Sequence, residues 1–497
     1  MHRILIVASA LVIGAALLVV PASAGTRLSS LRPGQNLNGF TAVSLYENAA
    51  GKAMGARFIS VEYGFIVDVV RIQSVPQAFF WVKTPPTSSK GEPHTCEHLL
   101  LGKGNRGRYV AALEDMTLGN STAYTSQIKT CYHFNAISGA EAFYDLLEAK
   151  LLALLQPDYT DEEIRREMCH LGVTENAETG KLELEEKGTV YTEMVSSFEK
   201  PWYYYGNVIG RMIYGENHPI GMVSGGRPSD IRDCTAEDLR AFHKRFYHLA
   251  NMGMIVAISD DISVDDFLAR TGEILKRCQP QPTRSANTGM GRYSMPEPGP
   301  APYGALTLVT FPSDNARDPG GIYLAWPAHL DINNSDYLML EIFLSAFAGG
   351  STSNLYDLFI NSETRRINIG GNTVWYWLPD YPGVPVWLAL EGLDNEYITE
   401  AMVDSVRGLV AAELARIHNL EPGSEDLAEF NRKVHSHLIR MKKQTDDFLN
   451  SPPMFGARGG PAGMWLSTLE FLEKDDGFRR SLALSGHFQY AEELLTS

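Results

Sequence analysis

Two histidines and a glutamate fall within five positions, His94, Glu97 and His98, in the stretch GEPHTCEHLLLGKGN over residues 91–105. Wound into a helix, positions i and i+4 lie on one face, one turn apart. His94 and His98 can then offer imidazole nitrogens to one metal ion, and imidazole suits zinc. Glu97 lies close to the same face. A carboxylate there can reach a water on the metal without being a ligand, which is the work of a general base. The order H-x-x-E-H is a hydrolytic motif in its own right, the reverse of H-E-x-x-H. By themselves, two histidines four apart also occur on ordinary solvent-facing helices.

Catalytic zinc ordinarily takes three protein ligands and keeps one position open. The candidate third ligand is Glu193 in KGTVYTEMVSSF, 95 residues after His98. It follows GTVYT, a short run that reads as β-like. Composition alone does not separate it from a surface glutamate.

The elements that must hold these residues are legible in outline. Residues 40–83 read as strands, with GARFISVEYGF and QAFFWVKT rich in β-branched and aromatic residues. TPPTSSKGEP is a loop. The histidine cluster opens a helix through HLLLG, which Gly102, Gly104 and Gly107 end. AFYDLLEAKLLALLQP has helical apolar spacing and stops at Pro157. DEEIRREMCHLGVTENAE reads as a second, polar helix, AEDLRAFHKRFY as a third, and NMGMIVAISD as a buried strand. Residues 281–303 are dense in Pro, Gly and Ser and read as a linker. Beyond it the order recurs. ALTLVTF and GIYLAWPA look like strands, SDYLMLEIFLSAFAGG like a helix, VPVWLALEGL like a strand and EAMVDSVRGLVAAELARIH like a long helix. The fold class is therefore α+β, with a second unit of similar size at 304–497 that lacks another histidine–glutamate cluster.

The chain has 497 residues, 44% apolar and 21% charged, which is ordinary globular composition. Its formal net charge of −16 disfavours a nucleic-acid partner, since neutralising phosphates needs clustered Lys and Arg. Five cysteines, all in the first 280 residues and in no paired motif, do not form a disulfide scaffold. Residues 1–24 carry a short basic start, a long apolar run and Ala22 and Ala24 in an A-x-A pattern. They read as a secretory signal, the alternative being an uncleaved anchor. The mature protein is expected to be exported, periplasmic or secreted, without stable membrane insertion. His435 and His437 in VHSHL lie two apart and read as surface residues. Cys96 and WYYYG at 202–206 read as packing.

Several stretches, in order along the chain, resemble the pitrilysin-type zinc peptidases, and most closely their presequence-protease branch. These are TPPTSSKGEPHTCEH, STAYTSQIKTCYHF, KGTVYTEM and RPSDIRDCTAEDLRAFHKRFYHLANMGMIVAISDD. The likeness is good over about 38–275 and weaker over 300–497. It implies two related α/β-sandwich domains of the pitrilysin/LuxS-like type, forming half of a clamshell. Residues 25–280 would be the catalytic domain and 304–497 a non-catalytic one. It implies one zinc ion per chain held by His94, His98 and Glu193, with Glu97 as general base. Glu186 would be a supporting acid outside the ligand shell. Thr122, Ala123, Tyr124 and Thr125 would form an edge strand that binds peptide by strand addition. The implied function is a zinc metalloendopeptidase for unstructured peptides. Its rivals are a selective processing protease and a non-catalytic or partner-dependent peptide-binding subunit of a two-chain peptidase. In the family's full-length members an arginine and a tyrosine from a carboxy-terminal half stabilise the oxyanion. Nothing in residues 300–497 matches that pair, so a homodimer or a heterodimer with a homologous subunit is expected.

Overall fold

The computed structural model describes residues 27–281, 292–300, 303–311, 313, 319–453 and 460–496. The expected secretory signal and most of the expected linker lie outside them.

The first part of the chain runs β1 (Asn36–Leu37), β2 (Phe40–Glu47), β3 (Ala53–Ser60), β4 (Ile66–Val70) and β5 (Gln77–Lys83), then α1 (Glu92–Gly102) and α2 (Gly104–Thr117). The hairpin of β6 (Gly119–Thr125) and β7 (Lys129–Ala136) leads into α3 (Ala140–Leu155) and α4 (Asp161–Glu167). A second hairpin, β8 (His170–Glu175) and β9 (Leu182–Lys187), is followed by α5 (Thr189–Phe198) and α6 (Pro201–Tyr214). Next come α7 (Pro228–Ile231), α8 (Ala236–Phe246), β10 (Met252–Ala257) and α9 (Val264–Cys278). The second part holds β11 (Gly320–Trp326), α10 (Asn334–Ala348), α11 (Asn354–Phe359), β12 (Thr373–Trp377), β13 (Val386–Leu393), α12 (Glu400–His418) and α13 (Glu425–Phe448). The chain closes with α14 (Pro461–Leu472), β14 (Arg479–Ser481) and α15 (Ser485–Thr496).

The large sheet has the order β1-β2-β3-β4-β10-β5-β7-β6, and β14 joins it beside β2. Pairing is antiparallel except at β4–β10 and β2–β14. Alternation along the strands divides the core between two faces. Phe80, Val82, Tyr132, Phe134, Met252, Met254 and Val256 face one way, under α1, α3, α8 and α9. Phe79, Trp81, Cys131, Ile255 and Ala257 face the other, under Trp465, Leu466, Leu469 and Leu472 of α14. With both faces covered, β10 is buried along its whole length, which is why MGMIVA is an unbroken apolar run.

The smaller sheet, β11-β13-β12, carries α10, α11 and α12 over its own apolar cluster. The architecture is α+β, with two similarly folded sheet-and-helix domains. Tyr204 and Tyr205 of α6 pack on Phe311, and Tyr205 on Tyr323 of β11, so WYYYG forms an aromatic seam between the two.

Five local expectations are corrected. Residues 189–192 form the first turn of α5 and not a β-run, since Gly188 at φ +145° ends β9 and admits the helix. The polar helix from 161 stops at Glu167, and LGVT belongs to β8, because its alternation meets β9 across a hairpin. Gly107 lies inside α2, where it allows close approach to Gly102. The described residues 305–311 are not strand. His437 is buried, its Nδ1 2.7 Å from Ser345 Oγ, while His435 is exposed. A spacing of two puts them about 200° apart on a helix.

Candidate metal centre

The loop before α1 fixes where the histidines begin. Gly91 sits at φ +80°, and a side chain there would meet Gly225 O at 2.7 Å. Glu92, buried in the first turn, accepts hydrogen bonds from Ser88 Oγ at 2.6 Å and Thr87 Oγ1 at 3.3 Å. An acid at this end also suits the helix dipole. Pro93 costs no hydrogen bond in the first turn. Cys96, Leu99 and Leu100 bury the inner face of α1 against the sheet, leaving His94 and His98 partly open.

The two imidazoles stand edge to face, 4.8 Å between ring centres. Glu193 Oε2 from α5 lies 3.3 Å from His94 Nε2 and 3.6 Å from His98 Nε2. One ligand atom from each of the three residues falls within 4.8 Å of the others. The Glu193 carboxyl is held below its usual range, first by its hydrogen bond with His94.

Behind the histidines stands a residue that sequence reasoning missed. Glu167, the last residue of α4, is only 5% exposed. Its Oε2 lies 3.2 Å from His98 Nδ1, and Lys103 Nζ donates to its Oε1 at 2.8 Å. Burial works to raise its pKa, but hydrogen bonds from His98, Lys103 and Thr189 hold it at about 2. A carboxylate on the far nitrogen of an imidazole fixes the tautomer and leaves the other nitrogen for a metal. Burial pulls the His98 pKa down, yet Glu167, Glu193 and Glu97 together hold it above the ordinary value. The sequence offers no spacing that would single out Glu167 among the acids of DEEIRRE.

Glu186, expected in that supporting position, is engaged elsewhere. Arg232 grips its carboxylate with Nε at 2.6 Å and Nη2 at 2.8 Å, and Tyr191 also donates to it. It sits on exposed β9, where alternation turns it toward α5 and Arg232.

Glu97 is 7% exposed. Burial raises its pKa, against the pull of His94, a hydrogen bond from Thr125 and His98. Thr125 lies on β6, the last strand of the sheet, which among the described residues pairs with β7 only. Thr122, Ala123, Tyr124 and Thr125 are thus on an edge strand, none of them fully buried. Ala123 packs on the α1 side with Thr125, and Tyr124 on the opposite side.

The donor set fits a divalent cation on chemical grounds. Two imidazole nitrogens and one carboxylate oxygen converge, the number and type that catalytic zinc takes. Glu97, Glu167 and Glu193 bring three negative charges against one positive charge on Lys103, an excess that a divalent ion offsets.

Residues 233–364 match the family model described as "Peptidase M16 inactive domain". A mitochondrial presequence protease of Debaryomyces hansenii is 31% identical over 395 residues, 75% of this chain and 34% of that protein. Presequence protease 1, chloroplastic/mitochondrial, of Arabidopsis thaliana is 29% identical over 175 residues, 34% of this chain and 16% of that protein. The chain spans about a third or less of the length of the curated relatives it matches. Among solved structures, a protease from Helicobacter pylori superposes with a TM-score of 0.58 at 16% identity, covering 92% of this chain and 97% of that one.

Proposed function

We propose a function from the premise that the chain belongs to the M16 (pitrilysin/presequence-protease) metallopeptidase superfamily: it is a zinc-dependent endopeptidase acting on unstructured peptides. One observation carries this reading. His94, His98 and Glu193 converge beside the buried carboxylate of Glu97, on a helix that packs against the edge strand β6.

A zinc ion held by His94, His98 and Glu193 would supply Lewis acidity and a water of lowered pKa. The remaining work belongs to the chain. The free edge of β6 offers backbone N–H and C=O groups to an extended peptide, and main-chain pairing of this kind tolerates many sequences. Glu97 takes the proton from water and returns it to the leaving amine, and its raised pKa suits both halves of that task. Glu167 holds His98 in the tautomer that leaves Nε2 available.

The test is turnover of a quenched fluorescent peptide by the zinc-loaded chain beside Glu97→Gln. Loss of turnover by about a hundredfold or more, with zinc still bound one per chain, is expected. Equal turnover in the variant removes Glu97 from the mechanism. Stoichiometric zinc without turnover in either protein favours the partner-dependent peptide-binding subunit.

A further inference from the structure

Where α15 packs on the start of α10, a serine, a histidine and an aspartate meet in series. Ser335 Oγ is 2.8 Å from His487 Nδ1. His487 Nε2 is 2.8 Å from Asp475 Oδ2. Asn334, only 8% exposed, donates through its side-chain amide to Asp475 Oδ1 at 2.6 Å and to Phe471 O at 2.7 Å. The His487 ring stands edge to face on Phe471, 5.2 Å between ring centres. Ser335, His487 and Asp475 are each partly open to solvent. None of them belongs to the metal centre.

Counting hydrogens fixes the direction of this series. An ionised carboxylate only accepts, so His487 Nε2 carries a hydrogen and donates it to Asp475. In the neutral imidazole Nδ1 is then a bare acceptor, and the Ser335 hydroxyl donates to it. A hydroxyl held against a base that a third group orients is an activated nucleophile. The two ring nitrogens trade places relative to the usual serine–histidine–aspartate order, and the proton path is the same. Asn334 grips the Asp475 carboxylate by its other oxygen, so Oδ2 stays aimed at the ring. The first turn of α10 adds donors. The cap Asn333 takes Asp336 N at 2.9 Å, whereas the N–H groups of Asn334 and Ser335 have no acceptor among the described residues. They form the positive end of a 15-residue helix, beside Ser335 Oγ, where a developing oxyanion is stabilised.

We propose that Ser335 and His487, with Asp475 as positioning residue, form a second active site that hydrolyses small carboxylic esters without a metal. Ser335 Oγ attacks the ester carbonyl and its proton passes to His487 Nδ1. The carbon–oxygen bond to the leaving group breaks, and Nδ1 returns the proton to the departing alkoxide. Water then attacks the acyl-serine and gives a proton to Nδ1. The acid leaves, and Ser335 regains its hydrogen. The half-buried hydroxyl admits a small acyl group. The peptidase reading and this one stand on separate residues.

The experiment exposes the full chain to a fluorophosphonate probe, with and without a chelator, and maps the adduct by mass spectrometry. In that reaction Ser335 Oγ bonds to phosphorus, fluoride leaves and His487 takes the proton. The expected adduct is on Ser335, in folded protein and not after heat denaturation, at a rate the chelator does not change. His487→Gln slows it by about a hundredfold or more. Hydrolysis of p-nitrophenyl acetate falls in parallel, and in Ser335→Ala it drops to the buffer rate. Asp475→Asn slows labelling and moves the midpoint of its rise with pH downward, because the imidazolium loses the carboxylate beside it. No adduct on Ser335 in folded wild type overturns the proposal, and that result depends on no variant folding. An adduct that forms equally fast in His487→Gln, or an unmoved midpoint in Asp475→Asn, also overturns it and leaves the three residues as a tie between α10 and α15.

Discussion

His98 illustrates how one residue answers to three carboxylates. Glu167 bonds its Nδ1 while Glu193 and Glu97 lie nearby, and together they hold its pKa above the ordinary value. A metal must displace that proton to use Nε2. Zinc affinity is therefore expected to be flat above the raised His98 pKa and to fall as pH drops through it, by up to about tenfold per unit for this one proton. Competition with a chelator across pH 6 to 8 measures it. In Glu167→Gln the charge and the strongest bond to Nδ1 are gone, so proton competition retreats to lower pH. The orienting contact is weakened as well, and affinity above that range falls about ten- to a hundredfold. The two effects have opposite signs on the acid side and separate cleanly.

At the scale of elements, the site depends on how three short helices end and begin. α1 starts at a glycine pressed against Gly225, and α5 starts at Gly188, pressed against Met168 O. α4 begins with a reciprocal cap, in which Thr160 Oγ1 accepts from Glu163 N and the Glu163 carboxylate accepts from Thr160 N. Glu163 also accepts from Gly104 N and from Arg108, so the same residue ties α4 to the start of α2. Thr160→Ala should cost about 1 kcal/mol of stability, read by chemical denaturation. It should also weaken zinc binding, because Glu167 rides on the last turn of this seven-residue helix. An unchanged zinc affinity would show that Lys103 and Thr189 alone hold Glu167 in place.

At the scale of the molecule, the last part of the chain is needed by the first sheet. Trp465 of α14 is fully buried against Phe448, and its Nε1 donates to Ser451 O at 2.8 Å. β14 adds to β2, and Glu473 reaches the Tyr46 hydroxyl at 2.9 Å. Tyr46 also touches Asp68, which makes a two-pronged buried pair with Arg57 at 2.7 Å on each prong. The C-terminal segment is thus tied to the core of the sheet by apolar burial and by a buried charge network. Trp465→Ala is expected to destabilise the chain by about 3–5 kcal/mol. It should also make β10 and β5 amides exchange faster, since α14 is what covers Phe79, Trp81 and Ile255. Hydrogen exchange on the variant checks this, and protection confined to loss in α14 itself would contradict it.

The sequence by itself determined the H-x-x-E-H helix, the strands of residues 40–83, the buried β10 and two helices of the second part, α10 and α12, because each rests on a local periodicity. It also put Glu193 forward, although on a β-run that is in fact a helix. Only the tertiary structure decided which distant groups meet. Glu167 comes to His98 across 69 residues, and Glu186 goes to Arg232 instead. His437 turns inward to Ser345, and α14 crosses from the second part to roof the first sheet. α1 lies over the β6–β7 hairpin, a contact with no signature in the spacing of either. Periodicity records which face of an element is buried. It does not record which partner lies opposite, and the hold on the histidines depends on that partner.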